Sequence, residues 1–221
     1  MDWQALMLSL ELAAVTLAVL LPLGVWLARW LAYTRFAGKG WIEALVVLPL
    51  VLPPTVLGYY LLVSLGGASP LGRWMAEVFG VRLTFNFLGL VLASIVFNVP
   101  FLVQPVQRAF ESIPRQLGEA AAVSGLSGWQ TFWRIELPLA WPGVLSAMVL
   151  TFVHTLGEFG VVLMIGGSIP GETKTIAIAI YDRMQAFDLA GADRMALLLL
   201  ALSLGAVGAS FFASARLAMR R

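Results

Sequence analysis

The chain has no cysteine, one histidine and few charges. Without cysteine there is no disulfide framework, no thiolate metal site and no cysteine nucleophile. A lone histidine, His154, excludes a multi-histidine metal centre within one chain. Asp, Glu, Lys and Arg make up 12% of the 221 residues, about half of the roughly 25% usual in globular domains. That is too little polar surface to cover a soluble core, and the same apolar excess rules out intrinsic disorder. A net charge of +2 is too small for a nucleic-acid binder. A phosphate-binding P-loop is missing too, since the only Gly-Lys pair, Gly38-Lys39, is followed by Gly40 instead of Ser or Thr. What is present is apolar: 60% of the chain, at a mean hydropathy of +0.90. These numbers describe an integral membrane protein; with the helical spans read below, the expectation is an all-α fold, one transmembrane domain over 1–221, with no visible catalytic residue and no metal site.

Long charge-free runs locate the spans. A helix needs about 20 mostly apolar residues to cross the hydrocarbon core, and five fit: Leu6–Leu31, Glu43–Ser64, Phe85–Gln104, Pro142–Ile165 and Met195–Ala215. Period-2 alternation is absent, which argues against an outer-membrane barrel. The opening Met1-Asp2-Trp3 has no basic stretch, so the first span is expected to stay on the protein. Nine of the fourteen basic residues fall on one side: Arg29, Arg35, Lys39, Arg108, Arg115, Arg134, Arg216, Arg220 and Arg221. The other side holds Arg73, Arg82, Lys174, Arg183 and Arg194, diluted by Glu172, Asp182, Asp188 and Asp193. The positive-inside rule then puts the N-terminus outside and the C-terminus in the cytoplasm. The apolar stretch Thr173–Tyr181 is too short to cross and reads as an outer or re-entrant element.

Prolines interrupt these spans. Pro22 lies in the first, Pro49, Pro53 and Pro54 in the second, and Pro100 in the third, which Pro105 is expected to close. Each interior proline frees a carbonyl and bends the helix. In lipid the freed groups must find protein or water, so the second span is expected either to unwind beside a path or simply to kink. The small residues of Gly205-Ala206-Val207-Gly208-Ala209 permit close helix packing.

Between the third and fourth spans, at about 106–138, lies a loop with two breaks. Pro114 to Val123 reads as a short helix, with Pro114 in an early position and Glu119, Ala120, Ala121 and Ala122 as good helix formers. Gly125 permits a turn. Trp129 to Leu137 reads as a second amphipathic piece that Leu137-Pro138 ends. Such a loop suits either a groove on a partner protein or the headgroup layer.

The spacing Glu119-Ala120-Ala121, three residues, Gly125, nine residues, Ile135, one residue, Leu137-Pro138 resembles the EAA loop of permease subunits of bacterial ABC importers. Gly157-Glu158-Phe159-Gly160 and Ile169-Pro170-Gly171-Glu172-Thr173 resemble the molybdate and sulfate branch. The second span, from Leu52-Pro53-Pro54-Thr55 to Leu62, is most similar to the molybdate members, with sulfate/thiosulfate and tungstate permeases as the alternatives. The resemblance implies a type I importer permease in the bacterial inner membrane, working by alternating access. It implies that Glu119, Ala120, Ala121, Gly125, Ile135, Leu137 and Pro138 couple to an ATPase. It also implies two ATP-binding cassette subunits that carry ATP and magnesium, and an extracytoplasmic oxyanion-binding protein, while this chain binds no cofactor. Five helices without an internal repeat do not surround a pore, so a homodimer is expected, with the path on its axis.

Few polar groups lie inside the spans. Thr55, Asn98, Thr151, His154 and Glu158 are candidates for the path or a gate, with Ser94 and Gln104 as further polar groups. For each of these, interhelical hydrogen bonding is the competing reading. A charge at mid-membrane costs at least about 2.5–3.5 kcal/mol on insertion scales, so Glu158 requires a reason. A carboxylate repels an oxyanion and makes a poor ligand for one. The expected role is structural or gating, with Glu158 accepting hydrogen bonds from His154, a backbone amide or a neighbouring helix. A solvated place near the membrane surface and a substrate-facing place are the alternatives. A self-sufficient secondary transporter is the rival class, and neither inverted repeats nor midplane ion sites are evident.

Overall fold

The computed structural model describes residues 1–219, with side chains through Phe212. Arg220, Arg221 and the side chain of Arg216, part of the basic cluster expected inside, lie outside the described residues. Every regular element among the described residues is helical: α1 (Trp3–Tyr33), α2 (Lys39–Val51), α3 (Pro54–Leu65), α4 (Pro70–Phe79), α5 (Phe87–Glu111), α6 (Arg115–Val123), α7 (Gly128–Thr131), α8 (Leu137–Leu156), α9 (Gly160–Gly166), α10 (Ile176–Gln185) and α11 (Leu189–Met219). A π-helical turn, Phe132–Glu136, joins α7 to α8 without a break. Four helices are long and apolar enough to cross a membrane, and a fifth crossing exists if α2 and α3 form one span.

α1, α5 and α8 form the centre. Leu20, Ala28 and Leu31 of α1 pack with Leu102, Val106 and Phe110 of α5 and with Val144 and Ala147 of α8. Lipid is as apolar as these side chains, so close packing, rather than escape from water, holds them together. α5 is the most enclosed span, whereas the membrane-length part of α11 is almost uncovered by the rest of the chain. Among the described residues, nothing outside α11's own turns lies within 4 Å of a Cβ added at Gly205 or Gly208.

The span expected over Glu43–Ser64 is two helices at 109°. The cause is the Pro53-Pro54 pair. Each proline pushes the residue before it out of the helical region, and Leu52 (ψ 139°) and Pro53 (ψ 134°) are extended. Pro105, expected to end the third span, does not. α5 runs on to Glu111, because the extra turns bury Val106 and Phe110, and that packing outweighs one lost hydrogen bond.

The fourth span also differs from expectation. Trp129–Leu137 is not a separate piece closed by Leu137-Pro138. It is the first part of one helix over residues 128–156, in which Leu137 N–H donates to the Phe132 carbonyl across the widened turn. That widening immediately precedes Pro138 and takes up the irregularity a proline imposes. The helix then breaks at Gly157, and the rest of the expected span, Pro142–Ile165, becomes the short α9.

The stretch expected to be too short to cross is α10, ten residues, about 15 Å at 1.5 Å per residue. Ile176 and Ala179 pack against Ala5 and Leu6 of α1 and Met195 of α11. Thr173 closes the loop before α10: its hydroxyl donates to the Gly166 carbonyl (2.8 Å) and accepts from Ile169 N–H (3.1 Å).

Candidate functional site

Two regions hold the residues singled out by sequence. The first is the connection between α5 and α8. α6 starts after Pro114, whose extended backbone leads into the helix. It ends in a Schellman arrangement: Leu126 N–H donates to the Ala121 carbonyl and Gly125 N–H to the Ala122 carbonyl, both at 3.0 Å. Gly125 has φ +75°, a conformation that costs other residues roughly 1–2 kcal/mol. Ser127 and Gln130 then form a reciprocal capping box that starts α7.

Of the motif residues on α6, Ala121 is buried, while Glu119 and Ala120 are exposed beside Leu117 and Val123, the last 91% exposed. α6 thus presents a small-residue surface with a carboxylate and is anchored by one alanine. Ile135 faces α6 across a cavity of about 410 Å³ whose wall includes Gly118, Glu119 and Ala122. Leu137 is half-buried and Pro138 exposed at the start of α8.

Sequence reading missed a partner pair here. Glu136, the free position between Ile135 and Leu137, is 7% exposed and takes a two-point ion pair from Arg29 on α1. Nε–Oε2 is 2.5 Å and Nη2–Oε1 is 3.1 Å. The guanidinium lies over the rings of Tyr33 (5.6 Å) and Phe132 (5.5 Å). Arg29 counted in the sequence only as a basic residue of one loop. Its contact with a residue 107 positions away leaves no local pattern.

The second region lies at the opposite end of α8. Glu158 sits in the break between α8 and α9 and is 4% exposed, which overturns the solvated alternative. Ser94 Oγ donates to Oε2 at 2.6 Å, and Asn98 Nδ2 donates to the same oxygen at 3.3 Å. The other oxygen, Oε1, is buried without a hydrogen-bond partner. Of the donors expected for Glu158, a neighbouring helix, α5, supplies both, and His154 supplies none. His154 and Glu158 do not share a continuous helix, because Gly157 breaks it, and His154 Nδ1 instead lies 3.0 Å from Asn98 Oδ1. With Nδ2 of Asn98 donating to Glu158 and to the Ser94 carbonyl, Oδ1 accepts, so Nδ1 of His154 carries the proton. The imidazole stacks on Phe101 at 3.7 Å.

Two helix breaks meet here. Thr55, in the first turn of α3, borders a cavity of about 510 Å³ together with Phe97, His154, Glu158 and Gly160. A Cβ at Gly160 would lie 2.9 Å from Pro54, and one at Gly58 2.8 Å from the Met164 Cβ. Only glycine lets α3 and α9 approach this closely. Of the five path candidates, Asn98, His154 and Glu158 form one network and Thr55 faces the same cavity. Thr151, one turn before His154 on α8, is buried, and its hydroxyl has no partner. Ser94, a further polar group in the sequence, is the shortest contact to Glu158. Among the described residues no cluster of three or more metal-ligating side chains occurs.

Comparisons with known proteins identify the family of the chain. The profile described as binding-protein-dependent transport system inner membrane component matches residues 21–221. The molybdenum transport system permease protein ModB of Azotobacter vinelandii is 49% identical over 196 residues, covering 88% of this chain and 86% of that protein. ModB of Escherichia coli (strain K12) is 38% identical over 204 residues, covering 92% and 89%. In fold, the chain is similar to one in the crystal structure of a bacterial ABC transporter involved in the import of the acidic polysaccharide alginate. The TM-score is 0.79 at 20% identity, over 96% of this chain and 78% of that one.

Proposed function

The chain belongs to the binding-protein-dependent transport system inner membrane components, and from that premise we propose that it is the permease of an ATP-driven importer of molybdate. It is a multi-pass protein of the bacterial inner membrane and carries no ATPase domain of its own. The observation that carries the substrate is the 49% identity to a molybdenum permease across nearly the full length of both chains.

Two copies of the chain enclose the path. α6 docks on an ATP-binding cassette subunit, which holds ATP and magnesium, with Glu119, Ala120 and Ala121 at the contact and Gly125 setting the exit turn. Ile135, Leu137 and Pro138 lead from that contact into α8. This places 112–127 in the cytoplasm, the N-terminus outside and the C-terminus inside, as the basic residues favour. An extracytoplasmic oxyanion-binding protein delivers the ion on the opposite side. Thr55, Asn98, His154 and Glu158 border the path or its gate.

Glu158 suits a gate better than a binding site. Its carboxyl repels an oxyanion, while its bonds tie α5 to the α8–α9 break. The path then binds cargo weakly and releases it, with selectivity residing in the binding protein. Uptake of labelled molybdate into proteoliposomes holding the whole complex, with tungstate and sulfate as competitors, tests the substrate. Molybdate uptake resistant to excess sulfate is expected. Displacement by equimolar sulfate would assign the chain to sulfate import.

A further inference from the structure

We propose that Arg29 and Glu136 form a positioning joint that makes α1 follow the movement of α6. The inference rests on the reading of α6 as the helix that docks on the ATPase. α6 buries only Ala121, so its own packing holds it weakly to the spans. The route from α6 into the bundle runs through α7 and the π turn, and there Glu136 points inward. The Arg29 fork takes both oxygens of Glu136 while stacked between Tyr33 of α1 and Phe132 of the turn. Tyr33 in turn donates its hydroxyl to the Phe110 carbonyl near the end of α5 (3.4 Å). One ion pair therefore gathers the ends of α1 and α5, the root of α8 and, across the cavity that Glu136 shares with Gly118 and Glu119, the face of α6.

Stability alone is a poor reason for such a pair. Burying the Glu136 carboxylate costs free energy that its attraction to Arg29, whose side chain stays 33% exposed, barely repays, and apolar replacements of similar volume often do as well. A two-point Arg–carboxylate pair does fix distance and angle, which is what a joint between moving helices requires. The π turn carrying Glu136 is a helical irregularity of a kind that recurs at functional positions.

The test uses the complete complex in proteoliposomes and reads molybdate taken up per ATP hydrolysed. Three permease variants are compared: Arg29→Lys, Glu136→Gln, and the double apolar replacement Arg29→Met with Glu136→Leu. Arg29→Lys keeps the charge but loses the fork and the stacking. The expected result is normal assembly, wild-type ATPase activity and uptake per ATP lowered by about 5-fold or more, the lower end of ordinary coupling strengths. Wild-type uptake per ATP in the double replacement would overturn the joint, and so would failure of all three variants to assemble. Gly125→Glu is run beside them. If it alone couples normally, the docking role of α6 fails. If it uncouples while the pair variants do not, only the joint fails.

Discussion

Glu158 carries one strong hydrogen bond, and that bond sets its sensitivity. Ser94→Ala removes the 2.6 Å donor and leaves a buried carboxyl with a single longer contact, a change worth about 1–3 kcal/mol. A lower thermal midpoint of the purified permease in detergent is the expected readout. Glu158→Gln places an amide where Oε1 already lacks a partner, so uptake should be lost while assembly persists. Normal uptake and assembly in that variant would reject the gating role. The sequence made Glu158 conspicuous because a charge is rare in a span. It hid the partners, because Ser94 and Asn98 lie 64 and 60 residues away. Gly125 is the opposite case. Nothing lies within 4 Å of a Cβ added there, so its requirement is conformational and visible locally as a glycine after a short helix. Gly125→Glu should impair coupling through a strained turn, with membrane insertion unchanged. Glu119→Lys should do so by reversing the exposed charge. ATP-linked uptake at wild-type level in either would contradict the docking surface.

Prolines show what a sequence tells about elements and what it withholds. Pro53-Pro54 breaks the chain by 109°, while Pro100 and Pro105 sit inside one unbroken helix. Adjacent prolines fix two successive residues in extended conformations, whereas isolated ones cost a hydrogen bond each that the enclosure of α5 offsets. That enclosure is tertiary and cannot be read from spacing. The crossing of α3 and α9 is equally unreadable, since Gly58 and Gly160 resemble any glycines in a membrane helix. Gly58→Leu forces a clash with Met164 and the Val161 backbone and should destabilise by about 1–3 kcal/mol, seen as a lower thermal midpoint and reduced uptake. Gly208→Leu, with no described residue within 4 Å of the added Cβ, should leave the fold of one chain unchanged.

The loop before α10 has its own ties. Lys174 pairs with Asp182 at 2.8 Å and Ser168 donates to the same carboxylate at 3.0 Å. Partial burial raises the Asp182 pKa, but these two partners outweigh it and hold it below the ordinary value of 3.8. A depressed carboxylate stabilises the fold above its unfolded pKa and loses that contribution as pH falls through the folded one. The protection of amides in 168–174, measured relative to their intrinsic exchange rates, should therefore persist through mild acid and fall only below the ordinary carboxylate range.

At the scale of the whole molecule, low charge content and the absence of catalytic groups meet in one account. Apart from Glu11, exposed on α1, and Glu158 in its break, the described charges lie near the ends of the long helices, on the short helices and connections between them, or in the π turn at the root of α8. The uncovered faces of α2, α3 and α11 leave room for lipid and for a second copy. The proposed function makes this chain a passage whose energy and selectivity come from other chains. The most direct test is molybdate uptake into proteoliposomes from which single components are withheld. Uptake should vanish when ATP is omitted, when the cassette subunit carries a dead ATPase site, or when the binding protein is absent, and an imposed proton or sodium gradient should not restore it. Gradient-driven uptake by the permease alone would contradict the account.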